Sequence, residues 1–234
     1  MRYRLPTVLI LALAVAIAPA GAQPARGAVM VRIPSGSYLP LHGADDRQAV
    51  NAFALDRDPV TRGEYDAFLR RHPQWRGAAT RAMVAADARQ PATGMTWHAA
   101  RAYCAERGAR LPSLAEWEYA AAASETHRDA ARDPTFVQRL VTGYATRPRP
   151  LPPVDRAWRN AYGVRGLHDL AWEWVADAGH APDHDGHEAH GAWCASAALG
   201  AADPGNYAAF LRFAVRSRLT PESTMETLGF RCAT

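Results

Sequence analysis

Residues 30–41, MVRIPSGSYLPL, alternate apolar and polar positions around Ser35 and Gly36, which predicts a strand or hairpin. The period then changes. Thr61 and Glu64 form a T-x-x-E capping box, and Tyr65, Phe68 and Leu69 share one face of a short helix that Pro73 stops. Residues 74–92 are rich in Ala and Arg and show no clear period. Thr96 caps a second helix running to Arg107, with Ala100, Tyr103 and Cys104 on one side and Gly108 as its stop. Ser113 and Glu116 make another capping box, and Trp117 and Ala121 mark the inward face of a third helix. The linker GARLP joins these last two into a tight helical pair. Residues 129–159 are polar, with Pro148, Pro150, Pro152 and Pro153, and predict a long surface segment. A short β-like run, FLRFAVRSRL, follows at 210–219. Few helices among many short strands and long loops predict a single α+β domain with much irregular structure.

Composition narrows the classes. Arg2 and Arg4, the apolar run at 8–18 and the small residues Ala20, Gly21 and Ala22 read as an export signal over 1–22, leaving a domain over 23–234 and a periplasmic or secreted location. The apolar run is too short to span a bilayer, and no later stretch is a candidate span. The formal charge of +4 falls to +2 when Arg2 and Arg4 are removed, which argues against a nucleic-acid surface. All 27 basic residues are Arg, so chemistry that needs a lysine amine is excluded. Neither G-x-S-x-G nor the phosphate-loop pattern occurs. Three cysteines remain, Cys104, Cys194 and Cys232; in an oxidising compartment two would pair and one would be left over.

One segment carries metal-ligand chemistry on its face. HAPDHDGHEAHGAWC holds His180, His184, His187 and His190 before Cys194, and imidazole and thiolate suit copper or zinc. Pro182, Gly186 and Gly191 make it a loop, so a solvated polar loop with incidental histidines is the rival reading.

The blocks MVRIPSGSY, DPVTRGEYDAFL, PATGMTWHAARAYCAERGARLPSLAEWEYAAA, NAYGVRGLHDLAWEWVAD and RSRLTPESTMETLGFRCA, in that order, resemble the formylglycine-generating enzyme (sulfatase-modifying factor) family. The resemblance implies a C-type-lectin-like variant fold, held in many members by calcium and disulfides. The family's best-known activity oxidises a sulfatase cysteine to formylglycine, using molecular oxygen and copper(I) held by two cysteines. Other branches carry out iron-dependent sulfoxide synthesis or siderophore maturation, so membership fixes fold better than reaction.

By the same resemblance, Cys104 and Cys232 match a structural disulfide. The family's two copper cysteines, five residues apart, fall on Asp203 and Ala208 when counted back from Cys232; when Cys194 takes the first place, the second is Leu199. One thiolate does not make a two-sulfur copper(I) site. Cys194 remains the catalytic candidate if the site is rebuilt, with His190 as a second ligand. In the family the stretch ending in Trp172, Glu173 and Trp174 wraps calcium. Here its aspartate place is Gly166 and its Gly-Asn pair is Asp169 and Leu170. A calcium remnant would therefore rest on Glu173 and Asp169. Otherwise Glu173 accepts hydrogen bonds from backbone or from an arginine, and both tryptophans are core.

Three functions compete: an oxidase with an altered metal site acting on a protein cysteine or small substrate, an accessory factor, and a sugar- or ligand-binding module that shares only the scaffold. GLHDLAWEWV followed by YAAFLRFAVRSRL is similar to members that accompany exported copper nitrite reductases and copper-delivery proteins. That likeness puts the accessory role first, with an exported metalloprotein or a peptide as partner.

Overall fold

A computed structural model describes residues 28–39, 47–77, 87–177 and 219–234. Strand β1 (Met30–Ile33) pairs antiparallel with β4 (Phe53–Asp56), and β2 (Gly36–Tyr38) with β3 (Gln48–Val50). The predicted hairpin over 30–41 is therefore two strands of two different sheets. Pro34, which has no N–H to donate, follows Ile33 and ends the first pairing.

The three capped helices form where the caps place them. Helix α1 (Arg62–Arg71) has the reciprocal Thr61–Glu64 box, α2 (Trp97–Glu106) has Thr96 accepting from the Ala99 N–H, and α3 (Leu114–Ala121) has the Ser113–Glu116 box. A fourth helix, α4 (Pro134–Ala145), lies inside the segment predicted as irregular surface. Asp133 caps it, Pro134 opens its first turn, and Phe136, Val137 and Leu140 bury one face. Its apolar stripe is long enough to pack, so the proline-rich composition downstream does not extend back over it.

The C-terminal residues run through the middle. Strand β5 (Trp172–Trp174) pairs in parallel with β6 (Leu228–Phe230), setting Glu173 opposite Gly229. A Cβ at Gly229 would stand 2.5 Å from the Ala92 carbonyl oxygen, so only glycine allows this approach. Beyond β6, Asp56 N–H donates to the Cys232 carbonyl (2.8 Å), and Ala233 bridges both Leu55 and Arg110. The Cys104 and Cys232 sulfurs are bonded, closing a sequence separation of 128 residues. In the chain-entropy model a loop of that length contributes about 5 kcal/mol.

Two large apolar clusters flank this C-terminal segment. One joins Tyr65, Phe68, Tyr103, Cys104, Trp174 and Phe230; the other joins Ile33, Phe53, Leu55, Trp117, Ala120 and Val164. A small third cluster seats α4 through Phe136 and Leu140 against Trp158. Among the described residues no helix is long and apolar enough to cross a membrane.

Candidate functional site

The site is built on the stretch 163–177, between α3, α4 and β6. Gly163 and Gly166 adopt positive φ (92° and 73°), turning the chain back so that Gly166 N–H reaches the Trp158 carbonyl at 3.0 Å. His168 then points inward, 3 % exposed, ringed by Trp117, Phe136, Tyr144 and Trp158. Its Nε2 lies 2.8 Å from the Ala121 carbonyl, which only accepts, so Nε2 carries the proton and Nδ1 faces the Tyr144 hydroxyl at 2.9 Å.

Glu173 sits at the centre, with its side chain and that of Arg231 wholly buried. Arg231 donates Nε (2.8 Å) and Nη2 (2.7 Å) to the two carboxylate oxygens, and Trp117 Nε1 adds a third bond at 2.7 Å. The other guanidinium hydrogens go to the carbonyls of Asp56, Arg57 and Arg165. A buried pair this completely bonded is the arrangement a low-dielectric interior tolerates.

That geometry decides whether calcium fits here. The ion needs about six to eight oxygens. The Glu173 carboxylate and three backbone carbonyls already converge on a guanidinium. Gly166 supplies no ligand, and a Cβ there would stand 2.5 Å from Leu170 Cδ1, so the apolar Leu170 fills the space an aspartate would need. Asp169 turns one oxygen to the Trp158 N–H (2.9 Å) and keeps Oδ1 buried and unpartnered. These residues do not fit a calcium ion at Glu173; the alternative of an arginine partner is the one realised. Among the described residues no group of three or more His, Cys, Asp or Glu is assembled that could hold a metal.

The two tryptophans differ. Trp174 is core, its Nε1 donating to the Met95 carbonyl at 3.0 Å. Trp172 is half-buried, stacked on Tyr144 (5.1 Å between centroids) and covered by Arg147. His180, His184, His187, His190 and Cys194, the copper candidates, lie outside the described residues, as do 1–22 and 210–218.

Sequence reasoning named Glu173 but not Arg231, and it missed Arg147, Tyr144 and His168. The spacing of Phe136, Leu140 and Tyr144, each four apart, was the available signal for the last group. For Arg231 no local signal exists, because its partner is 58 residues away.

A family model, the sulfatase-modifying factor enzyme 1-like domain, matches residues 17–234. The chain is 34% identical over 157 residues to the inactive C-alpha-formylglycine-generating enzyme 2 of Bos taurus, covering 61% of this chain and 50% of that protein. It is 29% identical over 163 residues to the formylglycine-generating enzyme of Bos taurus, covering 61% and 43%. The chain thus spans about half the length of the curated relatives it matches. The solved structure of PvdO from Pseudomonas aeruginosa superposes with a TM-score of 0.51 at 21% identity, over 87% of this chain and 93% of that one, a likeness of fold.

Proposed function

Starting from a chain that belongs to the sulfatase-modifying factor family, we propose that it is an exported accessory factor in the maturation of a metalloprotein. In this reading it keeps the family's C-type-lectin-like scaffold without the family's two-cysteine copper chemistry, and without calcium at Glu173. One observation carries it. Of the three cysteines, Cys104 and Cys232 are consumed in a disulfide, so a single thiol, Cys194, is left. Linear copper(I) coordination by two thiolates cannot be assembled from one. Similarity to a relative named as inactive supports a retained fold with altered chemistry.

The second reading is a copper- and oxygen-dependent oxidase with a rebuilt site. It is favoured by the four histidines that precede Cys194, which offer imidazole in place of the second sulfur. Oxygen uptake in the presence of copper(I) and a cysteine-containing peptide separates the two. The accessory reading expects stoichiometric copper binding at most and no sustained uptake. Turnover that Cys194→Ala abolishes would establish the oxidase instead.

A further inference from the structure

Arg147 follows the C-terminus of α4, and its guanidinium lies over the Trp172 ring at 4.7 Å and the Tyr144 ring at 5.8 Å. The two rings stack on each other at an interplanar angle of 27°, so the cation is held on a stiff aromatic support. Cation–π contact of this kind orients a guanidinium but leaves its in-plane N–H groups to find acceptors. Among the described residues one acceptor is found. Nη2 reaches the His168 carbonyl only at a long 3.4 Å, and Nε–H is buried with no acceptor. No described carboxylate closes an ion pair with it.

The surroundings sharpen the point. Burial holds the Arg147 pKa below the usual arginine range; nearby Arg149 pushes the same way, against Tyr144, Asp169 and Glu173. Asp169 is close enough to be felt, yet its own Oδ1 is buried and unpartnered. A buried guanidinium N–H and a buried carboxylate oxygen without partners, on groups that feel each other's charge, mark a polar network that something further completes. Among the described residues the Arg231–Glu173 and Arg107–Asp56 contacts are closed by contrast, while Arg62 Nη1 is another buried arginine nitrogen without a partner.

We propose that Arg147, held on Trp172 and Tyr144, anchors a binding site for a carboxylate monoanion. A planar guanidinium matches a carboxylate edge to edge. Asp169 and Glu173, whose charges Arg147 feels, disfavour a more highly charged anion such as a phosphate dianion. The carboxylate is that of a peptide C-terminus or of a small organic acid, and the experiment distinguishes them. The site is independent of the copper chemistry and stands whichever reading of the function holds.

The full chain is titrated calorimetrically with three probes: acetate, N-acetyl-trialanine with a free carboxylate, and the same peptide as its C-terminal amide. The site predicts that at least one carboxylate probe binds and that the amide binds about 10-fold or more weakly. Binding of both carboxylate probes assigns a small acid, and binding of the peptide alone assigns a C-terminus. Arg147→Gln, checked for folding by circular dichroism, reduces affinity by about 10-fold or more, and Arg147→Lys, which keeps the charge but not the fork, falls between. If Arg147→Gln does not fold, the wild-type Arg147 Nε–H resonance decides, because it shifts as the carboxylate is added. Equal binding of acid and amide overturns the proposal. So does absence of any carboxylate binding up to about 10 mM, unchanged affinity in a folded Arg147→Gln, or an unmoved Nε–H resonance.

Discussion

Glu173 shows how far a single residue can be read. Two tryptophans flanking a carboxylate suggest a buried segment, and a buried carboxylate has to be bonded. That much is legible in Trp172-Glu173-Trp174. The partner is not, because Arg231 is brought in by the parallel pairing of β5 and β6. The consequence is measurable. Glu173→Ala leaves the Arg231 guanidinium, with no exposure to water, facing only carbonyls and loses about 3–5 kcal/mol in urea unfolding. Added calcium does not restore the loss, since the oxygens around the vacancy are oriented by the guanidinium. Restoration by calcium would mean that the ion, not Arg231, is the native counter-charge.

Elements were legible where capping chemistry is local and illegible where pairing is distant. Thr61-Glu64 and Ser113-Glu116 each name a helix start within four residues, and both boxes form. The strand at 30–41 was visible, but its partners, β4 and β3, lie beyond the turn that alternation suggests. Helix α4 was hidden by the prolines that follow it, although Asp133-Pro134 is a proper helix start. Two measurements test its role. Leu140→Ala empties part of the third cluster and destabilises by about 2–4 kcal/mol in chemical denaturation. Asp133→Ala removes the cap and costs about 1 kcal/mol, with hydrogen exchange accelerating first in residues 134–145. The box of α3 adds a pH dependence. Burial pushes Glu116 up, but the Arg110 side chain and Ser113 outweigh it and hold the folded pKa below the ordinary glutamate range. A depressed carboxylate stabilises the fold above its unfolded pKa, and that stability is lost as pH falls through the folded value. Unfolding measured from neutral pH down into that acid range therefore loses stability more steeply in the parent than in Glu116→Gln; coincident curves would contradict it.

At the scale of the whole molecule, the ordered blocks announced the family and its fold, and the model match over residues 17–234 agrees with them. They do not announce the reaction, because the fold serves several chemistries. What bears on the reaction is a covalent link between the C-terminal segment and α2. Residues 228–234 thread between both large clusters, and Cys232 ties them to α2 through Cys104. Reduction releases that tie, and the folded protein is expected to lose about 5 kcal/mol on treatment with dithiothreitol, measured by denaturant midpoint. The same tie leaves Cys194 as the one remaining cysteine of the sequence, and on that the proposed departure from two-thiolate chemistry depends. The direct measurement is alkylation of the unreduced protein under denaturing conditions, followed by peptide mapping. A linked pair of peptides carrying Cys104 and Cys232, with Cys194 alkylated, is the predicted outcome; Cys194 bridged to either of the others would contradict it.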